Sequence, residues 1–376
     1  MSTKILTVFG TRPEAIKMAP LLKALGRQDG IESLVCVTAQ HREMLDQVLD
    51  IFGIQPDIDL NIMQAGQGLP YITSTVIGEL TKVIQELRPD RILVHGDTTT
   101  TMAASLAAFY AGVPVGHVEA GLRTGNIKSP WPEELNRRIT GTIADLHFAP
   151  TTVSRDNLLR EGVKPEAIEV TGNTVIDALL LAAGEIENSA AIRSRLSAAL
   201  PFLADAKQRG QRIVLATGHR RENLDGGLTA VFTALARLAE RPDVTVVVPV
   251  HLNPIVRNEA QSILGDNAGV HLIAPQDYLA FVHLMAQSDL IITDSGGVQE
   301  EAPSLGKPVL VTRDTTERPE AIEAGTVKLV GCDEEEIVAQ ASTLLDDPAS
   351  YDRMSTATNP YGDGRASDRI VSRLLQ

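Results

Sequence analysis

Residues 5–17 read Ile-Leu-Thr-Val-Phe-Gly-Thr-Arg-Pro-Glu-Ala-Ile-Lys. Five apolar or β-branched residues run without polar alternation, which is the pattern of a strand covered on both faces. Gly10 then permits a tight turn, and Pro13 suits the first turn of a helix. The stretch is a strand–turn–helix, the unit of a parallel α/β sheet. It recurs. Further strands are expected at 34–38, 91–95, 113–118 and 146–149. A second series is expected at 213–216, 244–248, 270–273, 290–293 and 308–311. Two series of this kind predict two doubly wound, Rossmann-like domains. The boundary falls near Val170-Thr171-Gly172-Asn173, giving domains at 1–172 and 173–364. The stretch 183–211, rich in Ala, Arg and Glu, reads as surface helices leading into the second.

The composition fits. The chain has 376 residues, which allows two domains of ordinary size. Lys and Arg number 34 against 48 Asp and Glu, a net charge of −14. That balance argues against a nucleic-acid binder, though not against a small anion held by a few cations. Two cysteines, Cys36 and Cys332, make no disulfide framework, so a reduced, cytoplasmic setting is expected. The opening MSTKILTVFG lacks the apolar core of a secretory signal, and no apolar run approaches the roughly 18 residues of a membrane helix.

In open parallel sheets, ligands bind beyond the carboxyl ends of the strands, and the polar loops of this chain lie there. Arg12 and Lys17 follow the first strand, placed to meet an anion near a helix N-terminus or to be solvated in its first turn. His95-Gly96-Asp97-Thr98-Thr99-Thr100-Thr101 follows another; Asp97 or Thr98 reads as an N-cap, but four threonines exceed what a cap needs. His117-Val118-Glu119-Ala120-Gly121-Leu122-Arg123 and Pro130-Trp131-Pro132-Glu133-Glu134 bring further acids. Clustered carboxylates repel one another, which spreads their proton affinities and suits acid/base work; the bland alternative for Glu133 and Glu134 is a first turn favoured by the helix dipole. In the second domain, Gly218-His219-Arg220-Arg221-Glu222-Asn223 is too polar for a core and reads as a phosphate or transition-state contact. Ser295-Gly296-Gly297 opens a helix with bare amides for a pyrophosphate, with Glu301 further on to accept from ribose hydroxyls. Arg313 to Glu320 add charge at the next strand end. No G-x-G-x-x-G follows the first strand, and no metal-ligand spacing occurs. Neither a nicotinamide cofactor nor a metal is expected.

Taken together, GTRPEAIKMAPL, TAQHREMLDQVL, VHGDTTT, HVEAGLRT, PEELNRR, TGHRREN, DSGGVQEEAPSLGKPVL, RDTTERPE and NPYGDGRAS run in order through nearly the whole chain. The sequence resembles the bacterial non-hydrolysing UDP-N-acetylglucosamine 2-epimerases. The resemblance implies the two-domain glycosyltransferase-B fold, with a cleft between its domains and the final helix, 365–376, packing back on the first. It implies reversible conversion of UDP-GlcNAc into UDP-ManNAc by a homodimer, through elimination of UDP and its re-addition, in the supply of ManNAc for bacterial surface polysaccharide. By motif position it implies catalytic roles for Asp97, Glu119, Glu133 and His219. It implies nucleotide contacts for Arg12, Lys17, Gln276, Phe281, Ser295, Gly296, Gly297, Glu301 and Arg318, and a possible allosteric UDP-GlcNAc site at Gln40, His41 and Gln67. A retaining glycosyltransferase and a hydrolysing epimerase are the nearest rivals, and a nucleotide-sugar sensor without chemistry a more distant one.

Overall fold

The computed structural model describes residues 2–40, 42–64, 66–218, 226–316 and 318–376, with the side chain of Glu43 also outside the description. The chain forms two compact units, residues 1–178 with 361–376, and residues 179–360.

The first unit holds a sheet of seven strands: β1 (Thr3–Phe9), β2 (Ile31–Val37), β3 (Ile58–Asp59), β4 (Arg91–His95), β5 (Val115–Val118), β6 (Leu146–Ala149) and β7 (Ile168–Val170). Their order is β3-β2-β1-β4-β5-β6-β7, and every pairing is parallel. Leu6, Val8, Ile92 and Val94 pack on Ala104, Ala107 and Ala108 of the helix Thr99–Tyr110 and on Leu80 and Ile84 of the helix Leu69–Leu87. The alanine row leaves that helix no bulk on its inner face, so it lies close against the sheet.

The second unit holds six strands: β8 (Arg212–Thr217), β9 (Val244–Pro249), β10 (Val270–Ile273), β11 (Leu290–Thr293), β12 (Val309–Val311) and β13 (Val327–Leu329), ordered β10-β9-β8-β11-β12-β13 and again all parallel. Helices Thr174–Asn188, Ala190–Ala199 and Pro201–Gln208 fill the stretch before β8. The fold class read from the sequence is the observed one, an α/β chain of two Rossmann-like sheets. The strand expected at 113–118 begins only at Val115, because Pro114 precedes it and has no amide to offer a ladder. The edge strands β3 and β13 had no sequence signal; two or three residues are too few to show a period.

The strand orders decide where loops can meet. In the first sheet the winding reverses between β1 and β4, so the segments leaving these two strands open side by side. In the second it reverses between β8 and β11, which does the same for the segments after Thr217 and Thr293.

No helix among the described residues is long and apolar enough to cross a membrane.

Candidate active site

Glu14 organises the first switch point. It is buried at the third position of the helix Arg12–Leu25. Its Oε2 accepts from the amides of Gly10 (3.1 Å) and Thr11 (2.8 Å) and from the Thr11 hydroxyl (2.8 Å). Its Oε1 accepts from the hydroxyls of Thr98 (2.7 Å) and Thr101 (3.1 Å). The reach back to Thr11 is half of a capping box; the reach to Thr98 and Thr101 ties the loop after β1 to the loop after β4. Burial pushes the Glu14 carboxyl up, and the Thr98, Thr11, Gly10 and Thr101 hydrogen bonds pull against it. Gly10 has no room for a side chain, since a Cβ there would lie 2.0 Å from Thr38 Oγ1.

The threonine run is now accounted for. Thr98 is the N-cap, accepting from the Thr101 amide at 3.0 Å. Thr100 meets Thr38 (3.0 Å) and donates to Gln40 Oε1 (3.3 Å), and Thr101 also donates to the His95 carbonyl (2.5 Å). Thr98 caps the helix, and Thr100 and Thr101 lace neighbouring loops to it.

Asp97 follows the left-handed Gly96 (φ +66°). Its Oδ2 accepts from Arg137 Nε (3.0 Å) and Nη2 (2.7 Å), and its carbonyl accepts from Asn136 Nδ2 (2.9 Å). Both partners lie on the helix Glu133–Ile143. Glu119 follows β5 with φ +60°, a backbone state costly for any residue with a Cβ and typical of functional positions. Its Oε2 accepts from Lys17 Nζ (2.5 Å) and Asn173 Nδ2 (2.9 Å), with His95 Nε2 3.7 Å away. Two acids of the expected cluster are each held by a cation, Asp97 by Arg137 and Glu119 by Lys17. Arg137 carried no sequence signal as a site residue, because its partner lies 40 residues away; Lys17, expected to meet an anion, pairs with the Glu119 carboxylate.

The two acids of Pro-Glu-Glu differ in kind. Glu134 is fully buried and saturated, accepting from the amides of Thr124 (3.1 Å) and Gly125 (3.3 Å) and pairing with Arg137 and Arg138. Glu133 has a buried Oε2 with no hydrogen-bond partner among the described residues. The first acid has spare capacity; the second is structural. Arg12 is half-buried at the N-terminus of its helix.

Three histidines lie on adjacent strands: His117 of β5 pairs in register with His147 of β6, while His95 of β4 pairs with Val118. Burial lowers His95 and His147 to about 4 and His117 to about 3, so all three are neutral near pH 7. His117 Nε2 meets the Gly96 carbonyl at 2.7 Å.

In the second unit, Ser295 ends the turn after β11 and precedes the helix Gly296–Glu301. Its amide donates to Thr293 Oγ1 (2.9 Å), so that amide is occupied rather than bare. Arg318 Nε donates to Glu300 Oε1 (2.8 Å), and its guanidinium lies over Gly296, where a Cβ would stand 3.1 Å from Cζ. Glu301 accepts from the Tyr278 hydroxyl (3.0 Å). Gln276 donates to the Ala274 carbonyl (2.6 Å), and Phe281 is half-buried on the helix Tyr278–Gln287. Ser295, Gly296, Gly297, Glu301 and Arg318 therefore share one neighbourhood. Gln67 Nε2 donates to the Gln40 carbonyl (2.9 Å) in the first unit. His41 and His219 lie outside the described residues. Among the described residues, no group of three or more His, Cys, Asp or Glu is placed to hold a metal ion.

Residues 23–375 match the model of one protein family, UDP-N-acetylglucosamine 2-epimerase. The chain belongs to that family. It is an epimerase, an enzyme of the isomerase class. The UDP-N-acetylglucosamine 2-epimerase of Escherichia coli K12 is 58% identical over 372 residues, covering 99% of this chain and 98% of its own. Among solved structures, that of the Neisseria meningitidis epimerase bound to UDP-GlcNAc superposes with a TM-score of 0.90 at 53% identity, covering 99% of this chain and 100% of the other. The Methanocaldococcus jannaschii epimerase, in complex with UDP-GlcNAc and UDP, superposes at 0.79 with 32% identity, each chain covered to 99%.

Proposed function

We propose that this epimerase interconverts UDP-GlcNAc and UDP-ManNAc by anti elimination of UDP and its re-addition, with Asp97, Glu119, Glu133 and His219 as the reacting or charge-stabilising groups. The observations that support the reading are Asp97 and Glu119, each gripped by a cation, and Glu133, which opens the helix whose Asn136 and Arg137 hold Asp97 and has a buried oxygen with no partner among the described residues. The chemistry needs such a set. The C2 hydrogen of the sugar is not next to a carbonyl and is not acidic. Departure of UDP from C1 leaves positive charge there and acidifies C2–H. A carboxylate takes the proton as the C1–O bond breaks, giving 2-acetamidoglucal and UDP. UDP then re-adds at C1 while a proton is delivered to the opposite face of C2. Two faces need two acid/base groups, which accounts for more than one carboxylate.

Cations stabilise the leaving diphosphate, and Arg12, Lys17 and Arg318 are the described candidates. In the second unit we assign UDP to Gln276, Phe281, Ser295-Gly296-Gly297, Glu301 and Arg318, and in the first the catalytic acids. The hydrogen bond between Gln40 and Gln67 supports reading Gln40, His41 and Gln67 as part of a second, regulatory UDP-GlcNAc site. Exposed Phe109 and Tyr110 on one helix support a homodimer formed through that face. The setting we assign is the cytoplasm, and the role is supply of ManNAc to surface polysaccharide.

The test is epimerisation in deuterated water. Elimination places deuterium at C2 of the UDP-ManNAc formed, read by mass spectrometry. Product without deuterium would refute elimination. Free ManNAc as product would identify a hydrolysing enzyme, and turnover only with an added acceptor would identify a glycosyltransferase.

A further inference from the structure

Three nitrogens converge on a single oxygen, Glu119 Oε2, and they are of three kinds. Lys17 Nζ is an ammonium at 2.5 Å, Asn173 Nδ2 a neutral amide at 2.9 Å, and His95 Nε2 an imidazole at 3.7 Å, just beyond hydrogen-bond reach. His95 is 3% exposed, and its Nε2 is buried with no hydrogen-bond partner among the described residues. A buried polar atom without a partner costs free energy, and a native fold rarely leaves one without a use. The groups around the ring are Glu119 and Asp97, which favour its protonation, and Lys17 and the neighbouring His117, which oppose it; burial outweighs them all and keeps it neutral.

We infer that Glu119 exchanges donors when the sugar nucleotide binds: Lys17 leaves Oε2 for the anionic diphosphate, and the neutral His95 Nε2–H closes on the same oxygen. The inference rests on the proposed function, which places Lys17 on that diphosphate. It gives Lys17 two successive roles, partner of the Glu119 carboxylate before the nucleotide binds and partner of the diphosphate afterwards. A carboxylate relieved of an ammonium takes a proton more readily. A neutral imidazole then fixes its orientation without neutralising its charge, which an imidazolium would do. Asn173 holds the same oxygen throughout. Binding of the leaving group thereby switches on the base that must act as it leaves, and in the empty enzyme that base is quenched. His95 is a positioning residue in this scheme, since it acts through Glu119.

The test uses the full chain. Histidine ring NMR is recorded on wild type and on His95→Gln, whose missing signal assigns His95. Saturation with UDP should move the His95 Nε2–H resonance downfield, and Lys17→Met should show the same shift without UDP. In parallel, His95→Phe should lower kcat by about 10–100-fold, the worth of one hydrogen bond to a charged group, leave UDP affinity within about twofold, and displace the acid limb of the kcat–pH profile. His95→Gln, which keeps a neutral donor, should recover most of the rate. A resonance unmoved by UDP overturns the exchange. So does a folded His95→Phe enzyme with unchanged kcat and pH profile, or a glutamine variant as slow as phenylalanine. A wild-type enzyme that binds UDP without epimerising UDP-GlcNAc would sink the proposed function instead, while the UDP titration still decides the exchange.

Discussion

Arg137 holds Asp97 by two prongs on one oxygen, Nε at 3.0 Å and Nη2 at 2.7 Å from Oδ2, and so sets the direction in which the other oxygen of that carboxylate points. Lysine could supply the charge but not the two-pronged geometry. Arg137→Lys and Arg137→Met should therefore both lower kcat by about 10–100-fold, as expected for a charge-assisted contact. Steady-state kinetics check it; a lysine variant at full rate would mean that charge alone suffices.

Asp97→Asn, Glu119→Gln and Glu133→Gln should each lose about 10²–10⁴ in rate, the usual worth of general acid/base catalysis, while UDP affinity holds. At least one should release 2-acetamidoglucal and UDP, because an intermediate that forms without its second proton donor escapes. Glu134→Gln is the contrast: Glu134 is saturated by two amides and two arginines, so its loss should appear as lowered stability. Mass spectrometry for the glycal and thermal unfolding separate the two outcomes.

Arg318 lies against Gly296 and is steered by Glu300. Arg318→Ala should weaken UDP binding by about 1–3 kcal/mol, the range for a charge-assisted, part-buried contact. Calorimetry reads it directly, and unchanged affinity would remove Arg318 from the nucleotide site.

Glu14 joins five donors from two loops. Glu14→Ala orphans them in a buried place and should cost about 3 kcal/mol or more. Glu14→Gln keeps an acceptor and should cost less, since burial already opposes the charge. Denaturant unfolding orders the two variants.

Acid should weaken the fold through its buried histidines. His95, His117 and His147 ordinarily titrate at 6.5 and are held down to about 4, about 3 and about 4. Below 6.5 the unfolded chain takes up protons that the fold refuses, so their stability contribution, full above that value, is lost as pH falls toward the folded values. Glu14 and Asp177, pushed up by burial, work the other way: the fold keeps their protons as the unfolded chain releases them, and stability is lost as pH rises through their folded values. In urea unfolding between pH 7 and pH 4, His117→Gln should flatten the slope of stability against pH by up to one proton. A slope unchanged by that substitution would mean that His117 is protonated in the fold.

The long strands were legible because residues such as Ile5–Phe9 and Val244–Val248 are apolar without interruption. The loops after β1, β4 and β11 were legible because polar residues and glycine directly follow such runs. What a loop residue touches was not legible. Thr98 reads as a cap because its partner, the Thr101 amide, is three residues away. Lys17 and Glu119 are 102 residues apart, and Asp97 and Arg137 forty; only the sheet order brings them together, and no local pattern encodes it. Glu14 had a signal that could have found it, an acid three residues after a threonine at a helix start. Its tie to Thr98 and Thr101 again needed β4 to lie beside β1.

The Asp177 carboxylate receives the amides of Ala366 (3.1 Å) and Ser367 (2.7 Å), and the Asn173 amide donates to the Tyr361 carbonyl at 2.7 Å. The first unit is thus assembled from both ends of the chain. On the ribosome, residues 1–178 emerge and must wait through the synthesis of 179–360 before their missing piece arrives. For that interval Asp177 lacks the two amides that 361–376 supply. The second unit, continuous in sequence, can close first, reversing the usual rule that the N-terminal domain of a nascent chain folds ahead of the rest. A message broken off anywhere in its last stretch would leave Asp97, Glu119 and Glu133 in the half that never finishes.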